Sequence, residues 1–290
     1  MKKPIFTGVC TALVTPFLES KVNYPMLEQL LRRQIDAGVC AVVVSGTTGE
    51  APTLSTDEKL ELIRRAKGYV GDACAIIAGT GSNCTEHAVA LSREAEEAGA
   101  DGLLVVSPYY NKATPDGLVA HYTAIAHSVS IPVILYNVPS RTGVDMPVSV
   151  YRRLSVIPNI IGVKEASGDI TKVARIRREC PRDFYVWSGN DDQTAAAMAL
   201  GAMGVVSVLS NLCPEETRLM TEAALDGDFD TAAALQTELL PLIDLLFCEV
   251  NPIPVKEAMG LIGYDCGGCR LPLTKLTPEN LKRLMAYLRK

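Results

Sequence analysis

Apolar residues along this chain keep two alternating rhythms. Short β-branched runs occur at Gly8 to Val14, Ala41 to Val44, Ala75 to Ala78, Gly102 to Val106, Val133 to Tyr136, Ile160 to Lys164, Phe184 to Trp187 and Gly204 to Ser207. Between them lie stretches of roughly 10 to 17 residues whose apolar positions recur at helical spacing. Helix starts are marked by the capping box Ser55-Thr56-Asp57-Glu58 and by Pro at a first helical position in Thr114-Pro115, Cys213-Pro214 and Thr277-Pro278. Ala98-Gly99 and Leu200-Gly201 mark helix ends.

Eight strand-plus-helix units predict an α/β fold, a (β/α)8 TIM barrel, which typically takes about 250 residues and carries its chemistry on the loops after the strands. The last unit closes near Leu225, so the barrel is expected over residues 1–225. Residues 226–290 form a C-terminal helical appendage packed on it, with three helices and the middle one opened by Pro252 and Pro254. A doubly wound open sheet is the alternative, but the even spacing and the lack of a full dinucleotide fingerprint favour closure: Gly79-Thr80-Gly81 follows a strand without the third glycine.

Composition narrows the setting. The 290 residues are 48% hydrophobic, which suffices for a core without disulfides or metal, and the net charge of -5 offers no basic footprint for nucleic acid. No apolar run approaches the roughly 20 residues that span a bilayer, and the N-terminus lacks a signal-peptide h-region. Nine scattered cysteines, an odd number, fit reduced buried thiols and a cytoplasmic location. The acceptor pattern Asn83-Cys84-Thr85 is then silent.

In a barrel, polar residues at the ends of the strands face the reaction centre. Lys164 closes one strand and, by alternation, shares a face with Ile160 and Gly162. A lysine amine in water is almost wholly protonated at neutral pH; desolvation frees it to attack a carbonyl, which makes Schiff-base chemistry its natural use. A salt bridge to Glu165 is the competing reading. Tyr136 ends the preceding strand, next to Lys164, as a proton relay or as an aromatic core plug. Thr47 and Thr48 stand in a glycine-flanked turn that brings two hydroxyls and backbone N–H groups to a small carboxylate, or weakly to a phosphate. Arg141, on a loop led by Pro139 and followed by Gly143, is suited to bidentate capture of a second carboxylate, with a solvated surface role as the alternative. Cys266-Gly267-Gly268-Cys269 has metal-ligand spacing but no second pair, and the three histidines lie on other predicted helices, so neither zinc nor a hydrolytic triad is favoured.

The segments Gly46-Thr47-Thr48-Gly49-Glu50, Tyr136-Asn137-Val138-Pro139 with Arg141-Thr142-Gly143, Gly162-Val163-Lys164-Glu165-Ala166-Ser167-Gly168 and Asn251-Pro252-Ile253-Pro254-Val255-Lys256 resemble the dihydrodipicolinate synthase family over essentially the whole chain. The paired threonines, Tyr110 after Tyr109 and the Arg141 loop look like the synthase branch of that pyruvate-dependent lyase superfamily. The resemblance implies that Lys164 forms an imine with pyruvate, and that the derived enamine attacks L-aspartate 4-semialdehyde. It further implies that Thr48 holds the pyruvate carboxylate, Thr47 and Tyr136 move protons, and Arg141 holds the semialdehyde carboxylate. Tyr110 would cross a tight-dimer interface to complete the neighbour's relay, Gly189 and Val206 would offer backbone contacts near the imine, and dimers would pair into a homotetramer. No cofactor is required, because the protonated imine is itself the electron sink.

Two rivals stand beside this reading. Another pyruvate aldolase would keep Lys164 and Tyr136 but take a sugar acid or hydroxy-oxo acid, and a non-catalytic regulator would bind pyruvate without bonding to it. Lysine-inhibited relatives place an acid in a pocket whose matching positions here are Ala51, Pro52, Thr56, Lys59, Asn83 and His87. A cation at Lys59 opposes a cationic effector, so weak or absent lysine feedback is expected.

Overall fold

The computed structural model describes residues 1–289. Its chain runs through ten strands: β1 (Gly8–Ala12), β2 (Phe17–Leu18), β3 (Lys21–Val22), β4 (Ala41–Val44), β5 (Ala75–Gly79), β6 (Gly102–Val106), β7 (Val133–Asn137), β8 (Ile160–Glu165), β9 (Tyr185–Ser188) and β10 (Gly204–Ser207). β2 and β3 form a small hairpin, and the other eight close a parallel barrel in which β10 returns to β1 with Gly8 opposite Gly204 and Cys10 opposite Val206. The predicted (β/α)8 barrel is thus the observed one, and each predicted strand is found within a residue or two at its ends.

A strand buried on both faces needs apolar residues at nearly every position, which is why the runs read as continuous rather than alternating. Inward-facing Cys10, Ile77, Leu104, Ile134, Trp187 and Val206 fill the cylinder. At its base Phe6 stacks on Trp187 with ring centroids 5.0 Å apart. Outward-facing residues such as Val42, Ile76, Leu103, Leu135 and Val163 pack under the helices.

Strict alternation fails at one place. The pairing of β7 with β8 shifts between Val133 and Ile134, so Val133 faces Ile160 but Ile134 faces Gly162. This extra residue sends Ile160 to the outer core and Ile161 to the interior. Ile160 therefore does not share the face of Lys164, as uninterrupted alternation predicts; the bulge restores Lys164 to the inside.

The helices begin where their caps predict. Ser55 and Glu58 exchange the two bonds of a capping box ahead of Thr56–Val70, and Thr114 caps Pro115–His127. After the helix Pro214–Leu225 the chain continues through the helices Phe229–Leu246, Ile253–Leu261 and Pro278–Leu288, the three expected from the sequence. Among the described residues, no helix is long and apolar enough to cross a membrane.

Candidate active site

The carboxyl ends of the barrel strands open into a cavity of about 470 Å³. Lys59, Arg141 and Lys164 line it, and no carboxylate does so among the described residues. A small anion entering it meets positive charge from three sides.

Lys164 is 6% exposed, and its Nζ lies 4.3 Å from the centroid of the Tyr136 ring. The two residues are register partners across β7 and β8, and the next pair along, Asn137 and Glu165, faces the opposite way. Glu165 accepts from Asn137 Nδ2 at 3.0 and 3.2 Å, from the Ser167 N–H at 2.9 Å and from the Tyr151 hydroxyl at 3.1 Å. It is spoken for in the outer layer, where buried Lys172 stands 4.0 Å away. The salt bridge from Lys164 to Glu165 is therefore absent. Among the described residues three lysines are deeply buried: Lys172 is paired with Asp145 and Lys256 with Glu50, whereas Lys164 has no ion-pair partner there.

The Thr47 and Thr48 turn is held from two directions. Gly79 lets it approach the next strand, since a Cβ there would stand 2.2 Å from the Ser45 carbonyl oxygen. At its far end Glu50, with a left-handed φ of 56°, buries its carboxylate against Lys256 Nζ at 2.8 Å and the Arg270 N–H at 2.8 Å. Thr47 and Thr48 both line the cavity. Thr48 Oγ1 accepts from Asn251 Nδ2 at 3.0 Å, which leaves the Thr48 hydroxyl proton to be donated. Arg141 Nη2 donates to the Asn251 carbonyl oxygen at 3.3 Å, so one residue joins Thr48 to Arg141.

Gly189 is also on the wall, and its lack of a side chain has a cause: a Cβ would come within 3.0 Å of Lys164 Cε. Two of the residues named from the sequence stand apart from the cavity. Val206 lies in the barrel interior, 1% exposed, while Val208 reaches the wall. Tyr110 is 89% exposed with φ at 73°, and its neighbour Tyr109 lines the cavity instead. Asn251 was assigned no chemical role from the sequence; it is marked there by the family-like segment Asn251 to Lys256 and by Asn-Pro at a helix entrance. Burial pushes the Cys266 and Cys269 thiols up to about 12, which keeps both protonated at neutral pH.

A profile of the Dihydrodipicolinate synthetase family matches residues 5–290. The chain belongs to that family. A curated 4-hydroxy-tetrahydrodipicolinate synthase of Thermoanaerobacter sp. (strain X514) is 49% identical over 99% of this chain and 97% of its own. Among solved structures, the dihydrodipicolinate synthase from Aquifex aeolicus is 43% identical, covers 98% of this chain and 97% of its own, and superposes with a TM-score of 0.96. A chloride-inhibited dihydrodipicolinate synthase from Acinetobacter baumannii complexed with pyruvate is 41% identical, covers 98% of each chain and has a TM-score of 0.95. Membership in the synthetase family accounts for full-length agreement that no shared barrel alone would produce, because barrels of one shape serve many reactions.

Proposed function

We propose that this chain is a Schiff-base lyase that condenses pyruvate with L-aspartate 4-semialdehyde to 4-hydroxy-tetrahydrodipicolinate, the activity named in its curated relatives. The single observation that carries the reading is a buried lysine without a carboxylate partner among the described residues, set against a tyrosine ring in a cavity whose charged lining residues are all cations.

Lys164 Nζ adds to the keto carbon of pyruvate, and loss of water from the carbinolamine leaves a cationic imine. Proton loss from the methyl carbon gives the enamine, whose carbon bonds to the aldehyde of the second substrate. The amine of that substrate then attacks the imine carbon, closes the ring and releases Lys164. Thr48 and the adjoining N–H groups hold the pyruvate carboxylate, Arg141 holds the carboxylate of the semialdehyde, and Tyr136 with Thr47 carries protons between the steps. Gly189 and the backbone around Val206 border the imine. The iminium nitrogen withdraws the electrons that a cofactor would otherwise accept, so none is needed.

The test is a coupled assay of pyruvate against a panel of aldehydes. The semialdehyde should be turned over in strong preference to sugar-acid and hydroxy-oxo-acid aldehydes; the reverse order would assign the chain to another pyruvate aldolase. Arg141→Ala should raise KM for the semialdehyde by roughly 10- to 100-fold and leave pyruvate imine formation unchanged, as expected for loss of a charge-assisted anchor.

Assembly and regulation follow the same reading. The chain works in the cytoplasm as a homotetramer of tight dimers, and Tyr110 of each protomer completes the relay of its neighbour; a tyrosine almost wholly exposed on a left-handed backbone supports a contact outside its own chain. Feedback by L-lysine is weak or absent. Lys59 is half-buried on the cavity wall with no ion pair among the described residues, and burial lowers its pKa, so a second cation beside it is unwelcome. Initial rates should hold as L-lysine is raised to millimolar levels, and half-inhibition below that would reverse this assignment.

A further inference from the structure

One buried acid at the catalytic end has no task in the reaction as described. Asp191 follows the turn Gly189-Asn190 beyond β9 and is 2% exposed. Its Oδ2 accepts from the N–H groups of Val208 at 2.9 Å and Leu209 at 3.0 Å, so it fixes the backbone that brings Val208 to the cavity wall. Its Oδ1 is buried with no hydrogen-bond partner. The same turn lies on the lysine, because Gly189 is packed against the Lys164 stem.

We propose that Asp191 is a positioning residue for the imine chemistry: from behind the wall it supplies the negative charge that steadies the cationic nitrogen on Lys164, while its backbone bonds hold Val208 in place. The inference rests on the Schiff-base reading above. Around Lys164 stand the Tyr136 ring, the Cys10 thiol, and the cations Lys59 and Arg141 across the cavity. Burial pushes the Cys10 thiol well up, which keeps it neutral. Glu165 and Glu50 are turned away and matched by Lys172 and Lys256. A third fixed cation in such a cavity calls for an anion close by, and Asp191 is placed to be it.

The surroundings of Asp191 agree. Burial raises its pKa, and the Ser207 hydroxyl, the two N–H groups and the charge of Lys164 oppose that rise. From the helix Phe229–Leu246 it meets the neutral Gln236, whose Nε2 donates to the Asp191 carbonyl oxygen at 2.9 Å. Thr194 Oγ1 donates to the same oxygen at 3.1 Å.

Asp191→Asn preserves volume and the acceptor for both N–H groups but removes the charge. Wild type and variant are incubated with pyruvate from pH 5 to 10, reduced with borohydride and analysed by peptide mass. The variant should trap pyruvate on Lys164 with its pH midpoint lowered by about one unit, and its kcat should fall roughly tenfold with KM for the semialdehyde little changed. A folded variant with the wild-type midpoint and kcat would reduce Asp191 to a backbone cap and overturn the proposal. Failure of the wild type to trap pyruvate at any pH would instead overturn the Schiff-base reading itself. An independent measurement needs no variant: the carboxyl carbon of Asp191, followed by NMR in isotopically labelled protein, should titrate at lower pH in the reduced pyruvyl adduct than with a neutralised, acetylated Lys164. An identical titration in the two forms would also overturn it.

Discussion

Lys164→Ala should abolish mass labelling by pyruvate and borohydride and lower kcat by on the order of 10³-fold or more. The basis is that the variant removes the proposed nucleophile, and neither of the other two deeply buried amines can stand in for it. Lys172 is bound to Asp145 on the outer side of β8, and Lys256 Nζ is shared between Glu50 at 2.8 Å and the Gly268 carbonyl at 2.9 Å. Both are ion-paired in filled sites, closed to a keto acid. Lys164→Arg should be equally inactive, since a guanidinium keeps its proton and forms no imine under these conditions. The fold should survive in the alanine variant, because Lys164 has no ion pair to leave broken. Labelling that persists at another lysine in Lys164→Ala would move the nucleophile elsewhere and remove the basis of the proposed reaction.

Lys256→Met should produce the largest loss of stability among single changes outside the barrel interior. Lys256 and Glu50 have side chains only 2% and 1% exposed, so screening by solvent is slight. Removing the lysine takes away the ion-pair partner of the Glu50 carboxylate and leaves it the Arg270 N–H. Breaking a buried pair in this way costs about 3–5 kcal/mol, which for a chain of this size lowers the thermal midpoint on the order of 10 °C. The double variant Glu50→Gln with Lys256→Met should recover much of the loss, as the uncompensated charge is gone. Scanning calorimetry of the three proteins checks both statements. Equal midpoints in the single variant and wild type would mean that the carboxylate finds other partners. Activity should fall in the single variant even below its melting range, because Glu50 ends the turn that presents Thr47 and Thr48.

The barrel was legible because its strands are buried on both faces and therefore stand out as apolar runs, with Gly, Pro and cap residues between them. The two-residue strands Phe17–Leu18 and Lys21–Val22 escaped, since so short a hairpin leaves no periodicity to read. Lys164, Tyr136, Thr47, Thr48 and Arg141 were found through position at strand ends and through chemistry that stands out in an apolar context, and all five line one cavity. Ile160 was misplaced because a bulge is a matter of pairing between strands, and one strand alone does not carry that information. Asn251, named only as part of a family-like segment, and Asp191 were given no role for a related reason. Each acts through bonds to residues far off in the chain, Asn251 to Thr48 and Asp191 to Val208 and Leu209, and nothing local distinguishes such a side chain from an ordinary turn residue.

Asn251 fastens the C-terminal helical segment to the cavity rim by both its amide and its main chain, and Lys256, one turn further on, adds a second bolt. An insertion or deletion between Leu246 and Ile253 would thus be transmitted straight to Thr48 and Arg141. Barrel and tail are in this sense one machine part, and drift in either must be answered by drift in the other.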